Sequence, residues 1–254
     1  MYDHQLRVHN LPRHVAEQDL AGSVVIMIDL LRASSTICQA LASGACEVVP
    51  FLEIEEAFVA AEKAGRSEIL LGGEREGGRI PGFDLGNSPC DYTPDVVAGR
   101  RVFFTTTNGT RALHLARLAR RILVGAFVNL SAVVASVRNE PRVDILCAGT
   151  GGGETREDIL AAGAMANRLA DLWGGSCEFN VEANAARSVW AKVLANAQAS
   201  GRPLDEQVAI ELQDTQGGRN LLGIGLNRDL VDCAQIDRLS VVPELDVRAW
   251  RITS

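Results

Sequence analysis

The sequence predicts an α/β protein: a three-layer α/β/α arrangement around a largely parallel, mixed sheet, with a helical C-terminal elaboration. Three observations lead there. Short apolar runs alternate with helix-period stretches through residues 23–173. The apolar runs are nearly continuous, as in strands buried on both faces. From residue 174 helical patterns follow one another to about 234, which places helices beside the sheet rather than more strands within it.

Each element has its own local reason. SVVIMIDL (23–30) reads as a buried strand, and SSTICQALASG (34–44) as a helix stopped by Gly44. CEVVPF (46–51) is strand-like. EIEEAFVAAEKAG (53–65) has acids at its start, where the helix dipole favours them, and a glycine stop. EILLGG (68–73), RRVFFTT (100–106), RRILVGAF (120–127) and RVDILCAG (142–149) are further strands, with helices over 108–119, 129–138 and 155–173. The segment 72–99 is too long for an ordinary connection. Its Ile80, Phe83, Leu85 and Tyr92 predict an ordered, packed loop, and its glycines would permit motion as a lid. SVVPEL and VRAWRI close the chain as strand-like stretches. No internal repeat occurs, so the reading is one domain over 1–254, with 174–235 as a helical subdomain.

Composition bounds the function. With 47% hydrophobic residues in 254, the chain can bury a substantial core. Its net charge of −7 argues against a nucleic-acid or anionic-membrane surface. Lys63 and Lys192 are the only lysines, so covalent lysine chemistry has few candidates, while arginines suit fork-like binding of anions. The six cysteines form no CxxC and read as reduced thiols. MYDHQLRVHN has no apolar signal core, and no run is long enough to span a membrane. A cytoplasmic protein is expected; a homo-oligomer is compatible with all of this.

In parallel α/β sheets ligands gather beyond the carboxyl ends of the strands. Four such ends carry polar residues. The first is Asp29 followed by Arg32; the second is Glu74 with Arg75 and, further on, Arg79. The third is Thr105, Thr106, Thr107, Asn108, Gly109 and Thr110. The fourth is the glycine turn of Gly149, Gly151 and Gly152, followed by Glu157 and Asp158. Hydroxyls and amides at a helix start make a cradle for oxyanions, although a single cap would explain one threonine of the run. Asp29 ends an apolar run, so its carboxylate is solvated, capped or metal-bound. Asp29 with Glu157 and Asp158 could hold Mg²⁺, against the plainer reading of first-turn acids in a helix. Arg32, Arg75 and Arg79 could bind acidic groups, or be ordinary ion pairs. The turn AGTGGGE fails the dinucleotide fingerprint at Glu154, and no P-loop occurs. Histidine is too scarce for a triad, which leaves acid–base work to carboxylates. Residues 214–245 read as an amphipathic, solvated face.

The stretches VVIMIDLLRASSTI, GGEREGGRIPGFDLGNSP, FFTTTNGTRAL and LCAGTGGGETREDILAAG, in this order, resemble the 2-phosphosulfolactate phosphatase family, and RNLLGIGLNRDLVDCAQIDRLSVVP is similar to its C-terminal segment. The likeness spans residues 1 to 245. It implies Mg²⁺-dependent hydrolysis of 2-phospho-3-sulfolactate, a small anionic phosphorylated acid, on the way to coenzyme M. One departure stands out: where the family leads to Ser-x-His-Gly, this chain reads Thr215-Gln216-Gly217-Gly218. If that histidine serves catalysis in relatives, this protein lacks it.

Residues and resemblance then suggest one scheme. Asp29 holds Mg²⁺ with Glu157 or Asp158, or is itself a nucleophile, although Leu31 breaks the DxD pattern of aspartyl-phosphate enzymes. The threonine and glycine turns cradle oxygens. Arg32, Arg75 and Arg79 grip carboxylate and sulfonate, and Glu74 acts as a base or holds an arginine. The alternatives are an anion-binding protein without turnover and a dinucleotide-dependent oxidoreductase.

Overall fold

Val24 to Ile28 are all fully buried. A strand with no polar face needs cover on both sides, and parallel neighbours supply its hydrogen bonds. In a computed structural model that describes residues 3–254, this strand is β2 (Val24–Ile28), parallel to β6 (Arg121–Val124) on one side and β7 (Arg142–Cys147) on the other. The remaining strands are β1 (His4–His9), β3 (Glu47–Pro50), β4 (Ile69–Gly73), β5 (Arg101–Thr105), β8 (Cys177–Phe179), β9 (Glu244–Asp246) and β10 (Arg251–Thr253). The ten described strands form one mixed sheet in the order β4-β5-β3-β10-β9-β6-β2-β7-β1-β8.

The helices are α1 (Ala33–Ala42), α2 (Ile54–Ala64), α3 (Pro94–Val97), α4 (Gly109–Leu115) and α5 (Leu130–Val137), then α6 (Arg156–Leu172), α7 (Val181–Ser200), α8 (Leu204–Gln213), α9 (Gln216–Gly223) and α10 (Asn227–Ala234). They flank the sheet in the expected three-layer α/β/α arrangement, and α7 to α10 are the C-terminal helical elaboration. No helix among the described residues is long and apolar enough to cross a membrane. None of the six cysteines is in a disulfide.

Two strands were not anticipated. In β1 only Leu6 and Val8 are buried, alternating with polar residues, so the segment lacks the continuous apolar run of the inner strands. At β8 three residues extend the sheet just before α7, inside the stretch expected to be helical.

Strand direction departs from simple parallel packing. β4, β5 and β3 are mutually parallel, as are β6, β2, β7, β1 and β8. The hairpin of β9 and β10 joins the two blocks through three antiparallel pairings, β3 with β10, β10 with β9, and β9 with β6. Three reversals leave the blocks running in opposite senses. A flat sheet would hold their carboxyl ends on opposite edges. From β5 to β2 is five steps, and a twist of roughly 20–25° per step turns one block about 100° or more relative to the other. The connection through α4, which packs against β2, spans the gap. Asp29, Glu74, Thr107 and Gly151, just beyond β2, β4, β5 and β7, nevertheless line one cavity, so carboxyl ends of both blocks meet there.

The segment 72–99 is ordered as expected. Ile80 and Phe83 pack with Ala57, Ala61, Ile69, Leu71 and Phe103 in a satellite core over β4 and β5. The amides of Asp84 and Leu85 both donate to the Leu71 carbonyl at 3.0 Å, and the Leu71 amide returns to Asp84 Oδ2 at 2.7 Å. Tyr92, fully buried, donates to the Gly86 carbonyl at 2.7 Å. The chain from 80 to 92 is therefore docked along β4.

Helices α6 and α7 come together at Gly163, where an added Cβ would lie 2.2 Å from the Ala186 carbonyl oxygen. Backbone cannot yield as a side chain does, so Gly163→Ala should force the helices apart at a cost of about 1–3 kcal/mol. Urea unfolding checks this; an unchanged midpoint would show that the helices separate freely.

Candidate active site

Where β2 ends, the chain turns into α1 at Asp29. The Asp29 amide donates to Ser34 Oγ at 2.9 Å, and the Ser34 amide donates to the Asp29 carbonyl at 2.8 Å. Ser34 thus organises the turn, and the partly buried Asp29 carboxylate faces a cavity. Gly109 lies against it: an added Cβ there would stand 2.9 Å from Asp29 Oδ2 and 3.0 Å from Ala33 Cβ. Burial raises the Asp29 pKa well above its ordinary value, with further contributions from the charges of Asp158, Glu74 and Glu157; the Ala33 amide works in the opposite direction.

The turn after β5 is held by Glu74, at the end of β4. Glu74 Oε1 accepts the Thr107 amide and Oε2 the Gly77 amide, both at 2.8 Å. Both oxygens are engaged, so Glu74 fastens two turns together and holds no arginine by its carboxylate. Thr105 is buried and accepts from Arg75 at 3.0 Å; Thr106 and Thr110 bond to each other. Of the threonine run only Thr107 reaches the cavity, together with Asn108. Asn108 precedes α4 without capping it, which leaves its side chain for other partners.

The arginines divide. Arg32 lines the cavity yet is 4% exposed; it donates to Asp229 Oδ2 at 2.6 Å and to the Gly77 carbonyl at 3.1 Å. Asp229, on α10, also accepts from Ser88 Oγ at 2.6 Å. Arg75 turns away to Leu52, Thr105 and its neighbour's carbonyl, and the exposed Arg79 reaches the Asp84 carbonyl at 3.4 Å. Neither lines the cavity. They brace turns, and the arginine that joins Arg32 at the cavity is Arg219 of α9.

Beyond β7, Thr150 and Gly153 exchange amide–carbonyl bonds of 3.0 and 2.9 Å, closing the glycine turn on itself. Gly149 has φ +66°, and a Cβ there would meet the Gly153 carbonyl at 2.5 Å, so only glycine fits. Thr150 and Gly151 face the cavity; Gly149 and Gly152 do not. Asp158 sits behind this turn. Its Oδ1 accepts the Leu30 amide at 2.8 Å, and its Oδ2 accepts the Gly149 amide at 3.0 Å and Thr155 Oγ1 at 2.9 Å. Burial and then Glu157 push its pKa up to about 7 against those bonds. Glu157 accepts the Gly217 amide at 3.0 Å through Oε1, while its buried Oε2 has no partner among the described residues. An added Cβ at Gly217 would come 2.2 Å from Glu157 Oε1, so a histidine there would displace the carboxylate.

These ends enclose a cavity of about 670 Å³. From the sequence-derived set it brings together Asp29, Arg32, Glu74, Thr107, Asn108 and Gly151. Asp158 and Glu157 stand behind the wall. Three buried polar atoms lack partners among the described residues here, Thr107 Oγ1, Asn87 Oδ1 and Glu157 Oε2. Sequence reading missed Asn87 and Thr150 and, although it marked Gly217 as a departure, the wall that α9 and the following Ile224 build from Gly217, Arg219, Asn220, Leu221 and Gly223. The signal was present at Gly217 and Gly218: glycines inside a helix cost stability and call for a packing reason. Gly218 has one as well, since a Cβ there would meet the Leu212 carbonyl at 1.8 Å.

Two tests follow from this geometry. In Glu74→Gln the amide nitrogen would face one of two backbone donors, leaving it unpaired; a cost of about 1–3 kcal/mol and faster amide exchange across 105–110 are expected. Unchanged exchange would remove Glu74 as the fastener. The Asp29 pKa lies above its ordinary value of 3.8, so the folded chain takes up a proton between the two values, and stability falls as pH rises through them. Without divalent cations, Asp29→Asn should therefore be more stable than the parent above the raised pKa, the difference vanishing below about pH 3.8. Thermal unfolding against pH in EDTA reads this directly.

A family model described as 2-phosphosulpholactate phosphatase matches residues 9–247. A protein of Symbiobacterium thermophilum named "Probable 2-phosphosulfolactate phosphatase" is 41% identical over 227 residues, 89% of this chain and 92% of the relative. One of the same name from Caldanaerobacter subterraneus is 34% identical over 241 residues, 94% and 95% of the two chains, and one from Prochlorococcus marinus is 38% identical over 232, 90% and 89%. The chain belongs to this family.

Proposed function

We propose that this member of the 2-phosphosulfolactate phosphatase family is a phosphoric monoester hydrolase that acts on a small phosphorylated organic acid, 2-phospho-3-sulfolactate among its substrates, with Mg²⁺. One observation carries the reading: Asp29 lies in a cavity where four strand ends converge, opposite hydroxyl, amide and guanidinium donors.

The residues fit Mg²⁺ in one particular way. Among the described residues no three His, Cys, Asp or Glu side chains form a ready cage. Mg²⁺ does not need one, since it is commonly held by one or two carboxylates with water and substrate phosphate. Asp29 suits that role, because burial first and then the charges of Asp158, Glu74 and Glu157 disfavour its bare carboxylate, and a cation would offset both. Asp158 does not, because three donors already occupy its oxygens. When bound, Mg²⁺ would offset charge on the phosphoryl group and favour ionisation of an attacking water.

The chain's own groups do the positioning. Thr107 Oγ1 and the Asn108 side chain offer donors to phosphoryl oxygens. Glu74 fixes their turn through the Thr107 amide. Arg32, locked by Asp229, presents a fixed positive edge, which avoids the cost of ordering a mobile arginine at the moment of binding.

Phosphate release from 2-phosphosulfolactate should require Mg²⁺ and stop in EDTA, and Asp29→Asn should lower kcat at least ~100-fold while remaining folded. Wild-type turnover in that variant removes Asp29 from the mechanism. Stoichiometric binding without release by the parent would instead support an anion-binding protein.

A further inference from the structure

We propose that the α9 half of the cavity receives an apolar substituent, so that the favoured substrates are phosphomonoesters of 2-hydroxy acids whose third carbon carries an apolar group. The inference rests on the phosphomonoester reading above and concerns the part of the cavity that reading leaves unused.

Three observations converge on it. The first is size: about 670 Å³ lies within the range that accommodates drug-sized ligands, far more than a three-carbon ester fills. The second is charge. Asp29, Glu74 and Glu76 line the cavity against Arg32 and Arg219, and Arg32 is already paired with the buried Asp229. With one divalent cation these groups only balance, four negative charges (Asp29, Glu74, Glu76 and Asp229) against four positive, so no net positive charge is left for a ligand bearing phosphate, carboxylate and sulfonate together. A ligand with an uncharged group in place of the sulfonate brings one negative charge fewer into that balance.

The third is the wall itself. Leu31, Leu221 and Ile224 give it an apolar surface, and Ile224 is 56% exposed, outside the hydrophobic core. Between them the chain has Gly223, where an added Cβ would meet nothing within 4 Å. The absence of a side chain at 223 keeps that side of the cavity open, while Arg219 beside it can meet one carboxylate. Phosphate toward Asp29, carboxylate toward Arg219 and an apolar group toward Ile224 would use each region according to its chemistry.

The test compares kcat/KM for Mg²⁺-supported phosphate release from 2-phospholactate, 2-phosphosulfolactate and the phosphate ester of 3-phenyllactate. The phenyl ester should exceed 2-phospholactate at least about tenfold, the discrimination an apolar pocket gives for little more than one methylene. Gly223→Leu, which fills open space, should shrink that ratio about tenfold, and Ile224→Asp should do the same by placing a charge on the wall. Thermal unfolding establishes that both variants fold. A phenyl ester no better than 2-phospholactate, with 2-phosphosulfolactate readily hydrolysed, overturns the inference and leaves the phosphatase reading standing. A ratio untouched by both variants also overturns it, since the preference would then arise elsewhere. Release from none of the three esters overturns the phosphatase reading and this inference with it.

Discussion

The amides of Leu30 and Gly149 and the hydroxyl of Thr155 all donate to one buried carboxylate, Asp158, and through it the ends of β2 and β7 are fixed to the first turn of α6. Glu74 does the same for the turns after β4 and β5, and Asp229 for Arg32 and the loop that carries Ser88. A buried carboxylate is costly unless its oxygens accept hydrogen bonds, and backbone amides at strand ends are otherwise orphaned. The two needs meet here. The site's shape depends on acids that mostly do not face its contents.

That construction has an electrostatic consequence. Carboxylates used as fasteners bring negative charge close to Asp29, whose own carboxyl is raised by burial and by Asp158, Glu74 and Glu157. Structural economy at the turns therefore creates a demand for positive charge at the cavity, which Arg32 meets only in part because Asp229 holds it. A divalent cation, or a ligand that carries fewer negative groups, brings the remainder into balance.

The C-terminal quarter completes both the sheet and the site. The hairpin of β9 and β10 joins two parallel blocks that would otherwise each have an exposed edge, and Trp250 ties it to the Pro50 carbonyl at 2.9 Å. Helix α9 sits tightly on Glu157 and Leu212 because Gly217 and Gly218 have no side chains. Closure of the cavity thus depends on residues roughly 190 positions from Asp29 in the chain.

Much of this was determined by the sequence itself. The apolar runs at 24–28, 102–104 and 145–147 specify buried parallel strands, because burial on both faces favours apolar residues at successive positions. The polar residues just beyond them locate the site, since a strand's end is where the backbone leaves the sheet. Tertiary structure alone decided which polar group meets which. Arg75 and Arg79 look like Arg32 in sequence, yet only Arg32 and the unanticipated Arg219 line the cavity. Glu157 and Asp158 were visible as acids but not as fasteners, because their partners are amides of remote segments. The reversal between strand blocks was equally hidden, as it follows from where six short residues of β9 and β10 pair. Apolar periodicity is a local property that burial enforces residue by residue. Hydrogen-bond partnership is settled only when distant segments compete for the same buried donors and acceptors.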